Sequence, residues 1–526
     1  MEINIKFGDT EIKFSHGEKK KKLARGENPF EAMLPLLDLD HYYKFYENMP
    51  HYMVSYYEEL GKVFEKYLDI SKPGIGKIPD SPDVLPANGH DIYNYIARYG
   101  IGNFQIQAIM KLDGRIDFDK LSRAVRLSVD AEPVLGCRFV EHDPPYWKRL
   151  EDIDETEFCS MEETTNVEDT VQRFLESPLD MDHDPKIKVK IIRSDECDIV
   201  GIKANHACCD AMGLKEYVQL VSDIYSRLEG TEEAFVPIPS KRGRGDQDRL
   251  FKSLGITEPD SLWIPGSDVL LPTWSFPWKQ GTSSATRIAV CRISPDQADA
   301  ISSYSKSMGA TYNDLILAAY YRAILKMGQP VYGVPMGINV TIDFRRYLPD
   351  NKTEALRNFS GSVNTWLSMV ENESFGETLS RVVYMMNDIK RGYPGLQSAI
   401  GLERLEKVSF KEALAYYQAT ARIGKNRAKR PVYYGDRCIP TLSNIGVLSK
   451  QLIKMGDVNV SDYYIIPPVV SAPGLLLVAN TYNGIITLAA GFYENTVLSY
   501  DVERLLNNIK HEILEGCKQG RRRIRK

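Results

Sequence analysis

The stretch from Lys186 to Leu228, "KIKVKIIRSDECDIVGIKANHACCDAMGLKEYVQLVSDIYSRL", narrows the choice of fold more than any other part of the chain. "KIKVKII" alternates strictly, with Ile187, Val189 and Ile191 on one face, as a half-buried strand does. "SDECD" turns the chain, and "IVGIKANH" is apolar enough to be the next strand. If that strand runs to its end, Val200, Ile202, Ala204 and His206 share a face. After Asp210, the residues Leu214, Tyr217, Val218, Val221, Ile224, Tyr225 and Leu228 follow the 3, 4, 7 spacing of an amphipathic helix. Two strands and a helix joined by short loops predict an α/β layered fold with a mixed sheet.

The same grammar extends over most of the 526 residues. "FQIQAIMKL" and "VLGCRFVE" read as strands, and the helix "DFDKLSRAVRLSVDAEP" between them carries Phe118, Leu121 and Val125 on one face. "VEDTVQRFLES" is a further helix. A second alternation begins with the strand "TRIAVCRI" and the helix "SPDQADAISSYSKSMG". The helix "TYNDLILAAYYRAILKMG" follows, opened by a capping box of Thr311 and Asp314 and apolar on nearly every side. "MGINVTID" is a strand, Asn483-Gly484 marks a hairpin turn, and a last helix precedes the basic tail "RRRIRK", which is expected to fray. Residues 1–85 differ: a hairpin about a Gly-Asp turn, the basic run "EKKKKLARG" as a solvated loop, Tyr-rich helices, then a Pro/Gly-rich linker. The predicted organisation is an N-terminal extension over 1–85, a first lobe over 86–228, an irregular crossover over 229–285 and a second lobe over 286–526.

Composition removes several function classes. The hydrophobic fraction of 43% and charged fraction of 26% are those of an ordinary globular protein, and the net charge of −5 argues against a dedicated nucleic-acid binder. No apolar run approaches the ~20 residues of a membrane helix, and the N-terminus lacks a signal-peptide core. Eight cysteines at irregular spacing do not form a disulfide framework, so a reducing, cytoplasmic setting is expected.

"NHACCDAMG", Asn205 to Gly213, concentrates the chemistry. His206, Cys208 and Cys209 are too close together for a zinc site, and an adjacent cysteine pair more often packs as small hydrophobes than reacts. Two readings remain open on the residues alone. Asp210 can simply cap the helix that follows a buried strand histidine. Alternatively His206 is a general base at a strand end, with Asp210 fixing the loop around it.

The stretch resembles the His-His-x-x-x-Asp-Gly motif of the condensation-domain superfamily of thioester-dependent acyltransferases, which includes alcohol acetyltransferases, wax ester synthases and polyketide-associated acyltransferases, with chloramphenicol acetyltransferase as a smaller relative. "LDGRIDFDKLSRAVRLSVDAEPVLGCRF", "FLESPLDMDHDPKIKVKIIRSDECDIVGIKANH", "GATYNDLILAAYYRAIL", "NVTIDFRRYLP" and "PTLSNIGVL" resemble further family segments, in the family's order, over roughly residues 90 to 515. The resemblance implies two chloramphenicol-acetyltransferase-like lobes, each a mixed sheet with helices, and a tunnel between them. It implies His206 as the base, and Asp210 as a structural partner of Arg345, with Arg346 the second choice. Asn339, Thr341, Asp343 and Arg345 share strand parity. Asn205, Ala211, Gly213, Asn339, Asp343, Ser443 and Asn444 become candidates to line the tunnel, with Ser443 and Asn444 near the developing oxyanion. Two positions depart from the motif: Asn205 replaces its first histidine and Ala211 its glycine.

The expected activity is acyl transfer from acyl-CoA, or a carrier-protein thioester, to a hydroxyl or amine. The expected partners are small-molecule donor and acceptor, and possibly an acyl-carrier protein. No cofactor or metal is implied beyond the thioester substrate, nor any nucleic acid or transmembrane segment. The rival expectations are a non-catalytic condensation-like protein used for binding or assembly, and an amide-forming condensation enzyme acting in trans on carrier-bound substrates.

Overall fold

A computed structural model describes residues 2–7, 10–15, 66, 76–228, 235–241, 245–263, 274–279, 281, 285–328, 335–368, 370–415, 437–448 and 453–524. The first hairpin is present as β1 (Glu2–Phe7) and β2 (Thr10–Ser15), antiparallel in register. The basic run and the Tyr-rich helices of the extension lie outside the described residues, apart from Lys66.

Two six- and seven-stranded mixed sheets dominate the fold. The first is built on β4 (Gln105–Leu112), β7 (Cys159–Glu163), β8 (Ile187–Arg193) and β9 (Asp198–Asn205). β9 lies between β4 and β8, antiparallel to both, and all eight of its residues are buried. That central place explains why "IVGIKAN" is nearly continuous in apolar residues while β8, nearer the edge, alternates. β7 adds to β8 in parallel. The sheet is covered by α2 (Phe118–Ala131) and α4 (Ala211–Arg227), with α1 (Gly89–Ala97) and α3 (Val167–Glu176) beside it. A small sheet of β3 (Val84–Pro86), β6 (Tyr146–Arg149) and β5 (Cys137–Val140) packs alongside.

The crossover is more ordered than its sequence suggests. It contains the helix α5 (Asp246–Ser253) and the short strand β10 (Trp274–Ser275). α5 escapes the hydrophobic pattern because its buried face mixes Leu250 and Phe251 with Asp246 and Gln247. Gln247 Nε2 donates to Ala399 O at 2.8 Å, and Asp246 meets Arg357 at 3.5 Å.

The second sheet runs β11 (Thr286–Ile293), β18 (Ile485–Tyr493), β17 (Gly474–Tyr482), β14 (Arg437–Leu448), β12 (Pro335–Asp343), β13 (Ser360–Ser368), with β10 on β14. α6 (Pro295–Ser307), α7 (Tyr312–Met327), α8 (Phe375–Lys390) and α10 (Ser499–Ile524) accompany it, and α9 (Leu396–Lys407) packs on α1 of the first lobe. α7 carries both bonds of its capping box, and ten of its residues are buried. Asn483 and Gly484 both have positive φ, at 47° and 77°, as a two-residue hairpin turn between β17 and β18 requires. The helix expected to end before the basic tail continues through Arg521–Arg523.

The segment 286–526 does not keep to its own sheet. β15 (Lys454–Met455) and β16 (Val458–Ile466) leave it and extend the first one, β16 pairing antiparallel with β4. The lobes are joined again where β17 meets β16. Asn480 accepts from Ile465 N and donates to Tyr463 O, both at 3.2 Å, and Tyr482 OH donates to Val460 O at 2.8 Å. Among the described residues no helix is long and apolar enough to cross a membrane.

Candidate active site

β9 ends at Asn205, and His206 is the first residue beyond it rather than the last of the strand. Asn205 is 6% exposed, its side-chain oxygen accepts from Ala207 N at 3.0 Å, and its carbonyl accepts from Cys208 N at 2.9 Å. It closes the turn that swings the chain from strand to helix. His206 N donates to Phe104 O at 2.8 Å, and the two rings lie 5.9 Å apart. Phe104 has φ of 44°, a conformation that a bulky side chain adopts only when its surroundings enforce it. Cys208 and Cys209 are buried at 0% and 1% exposure and belong to the core.

Asp210 starts α4. Its side chain accepts from Gly213 N at 2.7 Å, from Phe359 N at 2.8 Å, and from both terminal nitrogens of Arg345 at 3.1 and 3.2 Å. Burial alone would raise its pKa. The guanidinium and the two amides more than offset that and hold it below the ordinary carboxylate value. Capping and interlobe pairing are thus one arrangement, since the carboxylate does both.

Arg345 lies in the 3₁₀ turn Phe344–Tyr347 that follows β12, not on the strand itself, so the shared parity with Asn339, Thr341 and Asp343 ends at Asp343. Asp343 caps that turn through Arg345 N at 3.1 Å and also meets Arg345 Nη1 at 3.1 Å. Glu216 of α4, absent from the sequence expectations, meets Arg345 Nε at 3.1 Å. One buried cation therefore faces three carboxylates. Burial pushes Glu216 up to about 7 and raises Asp343, while Asp210 stays ionised. Arg346, the alternative partner, is exposed.

Two further residues were not anticipated. Asn358, just ahead of β13, places Oδ1 3.0 Å from His206 Nδ1, while its Nδ2 donates to His206 O at 2.7 Å and Ala207 O at 3.1 Å. His90, at the start of α1, is buried between Phe344 and Phe359 at ring distances of 6.1 and 5.9 Å. Burial first, then the nearby Arg357 charge, pushes His90 down to about 3, so it stays neutral. Burial likewise lowers His206, opposed by its own carbonyl, by Asp210 and by Asn358. His206 is therefore an uncharged imidazole at neutral pH.

The remaining candidates fall in two places. Asn339, Thr341 and Asp343 alternate with the buried Ile338, Val340 and Ile342 along β12. Asn339 Nδ2 donates to Asn364 Oδ1 at 2.8 Å, and Thr341 Oγ1 to Ser443 Oγ at 3.1 Å. Ser443 is in register with Val478, whose side chain joins the core of the first lobe, so this polar row occupies the sheet face turned toward that lobe. Asn444 sits at a bulge and accepts from Gly446 N at 3.0 Å. Ala211 is half-buried at the first turn of α4, against the core.

Gly213 answers a packing need. A methyl there would lie 2.8 Å from Cys209 Cβ and 3.1 Å from Arg357 O. Gly213→Ala is expected to cost about 1–3 kcal/mol of unfolding free energy by overpacking, read by urea titration.

The condensation-domain model covers residues 102–416, more than half of the chain, and the chain belongs to that family. Solved structures share the two-lobed fold at low identity. Polyketide synthase associated protein 5 from Mycobacterium tuberculosis is 14% identical with a TM-score of 0.58, over 83% of this chain and 99% of that one. The TRI3 trichothecene 15-O-acetyltransferase from Fusarium sporotrichioides is 12% identical with a TM-score of 0.60, over 85% and 98%. The epimerization domain from the third module of tyrocidine synthetase B is 13% identical with a TM-score of 0.59, over 85% and 99%. No curated protein matches the sequence.

Proposed function

We propose that this chain is an acyltransferase that moves an acyl group from a CoA or carrier-protein thioester to a hydroxyl or amine acceptor. The observation that carries the reading is the place of His206 just past the end of β9, hydrogen-bonded to Phe104 O and to Asn358 Oδ1 from the other half of the chain, four residues before the buried Asp210–Arg345 pair. Nε2 of His206 takes the acceptor's proton as the acceptor oxygen or nitrogen attacks the thioester carbonyl. The tetrahedral intermediate then collapses, the C–S bond breaks, and the imidazolium returns the proton to the leaving thiolate. No acyl-enzyme forms. The 15-O-acetyltransferase among the structural relatives supports oxygen as acceptor, and the condensation-domain family supports the carrier-bound donor and the amide product as the second arm of the test.

The test is acceptor-dependent thiol release from short- and long-chain acyl-CoAs against alcohols and amines, with acylated carrier protein run in parallel. Release in either arm that disappears in His206→Ala supports the proposal. No acceptor-dependent release in both arms overturns it in favour of a binding or assembly role. The pH profile is a further expected result. Because burial lowers the His206 pKa, more than half of the base is free at the ordinary histidine value of ~6.5. The midpoint of the acid limb of activity should therefore lie below that pH, with activity lost as His206 becomes protonated.

A further inference from the structure

Asn358 has a more specific place than packing. It is 1% exposed, and its two halves face opposite hydrogen-bonding demands. Nδ2 faces two carbonyl oxygens, His206 O at 2.7 Å and Ala207 O at 3.1 Å, which can only accept. A flipped amide would set an oxygen against both. The orientation is thereby settled by chemistry, and Oδ1 must be the atom 3.0 Å from His206 Nδ1. Oδ1 can only accept, so the proton of the neutral imidazole sits on Nδ1 and leaves Nε2 bare.

The loop that presents Asn358 comes from the other half of the chain, 152 residues away. It is fastened to the first lobe on either side: Leu356 N donates to Glu132 Oε2 at 2.9 Å, and Phe359 N to Asp210 Oδ2 at 2.8 Å. Arg345 Nη2 donates to Arg357 O at 3.1 Å, so the guanidinium that neutralises Asp210 also holds the backbone beside Asn358.

We propose that Asn358 is a positioning residue that fixes His206 in the Nδ1–H tautomer, making Nε2 the base, and that this tautomer is enforced only while the 356–359 loop is docked on the first lobe. The inference rests on the reading of His206 as the base. Its rival is the carbonyl of His206 itself, which also draws a proton to the ring.

The test is ¹⁵N-histidine labelling of the full chain, with the His206 ring signals assigned by their loss in His206→Gln. Wild type is expected to show a protonated Nδ1 and an unprotonated Nε2. Asn358→Leu removes the acceptor at similar volume, and the proton should shift toward Nε2, the intrinsic preference of a neutral histidine. In the acyl-transfer assay the same variant should lose ~10-fold or more in kcat with KM little changed, since the base nitrogen is blocked in most molecules. Should Asn358→Leu fail to fold, Asn358→Ala removes the same acceptor and carries the same expectation. A folded variant that keeps the Nδ1–H tautomer overturns the proposal and assigns the tautomer to the His206 carbonyl. The spectrum needs no substrate, so it decides this point even if thiol release is never found.

Discussion

Arg345→Leu should cost about 3–5 kcal/mol of folding free energy, the largest stability effect expected of a single substitution in this site. Arg345 is 2% exposed, and its removal strands Asp210 without its cation while the two backbone amides still hold the carboxylate in place. Asp343 and Glu216 lose the same partner, so three carboxylates face one another across a lobe junction. The pH dependence follows from the sign of each shift. In wild type the depressed Asp210 contributes stability above its unfolded pKa, and that stability is lost as pH falls through its lower folded pKa. Without Arg345 the carboxylates are raised by burial and mutual repulsion. A raised carboxylate is tolerated while protonated and penalises folding as pH climbs through and above its unfolded pKa. The deficit of the variant should therefore be greatest at neutral pH and shrink toward pH ~4, near the unfolded carboxylate value. Urea unfolding at several pH values reads this directly. A deficit independent of pH would mean that lost packing, not stranded charge, sets the cost.

His206→Ala should do the reverse, removing chemistry while leaving the fold largely intact. Loss of a positioned general base is expected to lower turnover by ~10²–10⁴-fold. The structural cost is smaller: Asn358 Oδ1 loses its donor and the Phe104 ring a neighbour. Thermal unfolding and thiol release measured on one preparation separate the two substitutions. Arg345→Leu should lose stability first and activity in consequence, whereas His206→Ala should lose activity with a melting temperature close to wild type. If His206→Ala retained full turnover, the base would have to be another group.

The two substitutions also mark where the sequence was legible. The strand, loop and helix around His206 and Asp210 could be read because the pattern is local: alternation, an acidic cap and helical spacing lie within about forty residues. Arg345 became a candidate through the "DFRR" resemblance; its guanidinium lies 3.1 Å from Asp210, and it comes from a turn rather than from the strand. Asn358 could not be read. Nothing in "LRNFSG" distinguishes a surface amide from one locked onto a ring 152 residues earlier, because its partners are brought together only by docking of the lobes. Glu216 was hidden for the same reason, as a polar position on the outward-looking stripe of α4. Asn205 is set by a local need instead. Its side chain satisfies the turn after β9, a local need that the motif comparison does not express. α5 was overlooked because its anchors are Asp246 and Gln247, residues that a hydrophobic period does not count.

β16 gives the architecture an unexpected indivisibility. A strand from the last quarter of the chain is clasped on β4, near the beginning of the first lobe, so the polypeptide crosses back after its second sheet has begun. A fragment ending at the crossover would present the β4 edge bare, with the backbone groups from Gln107 to Leu112 seeking another strand and Ile109 and Met110 uncovered. The complementary fragment would carry β16 with no sheet to join. The sheet that carries His206 at a strand end is completed only by a segment reaching Ile466, so the two halves of the chain share one framework.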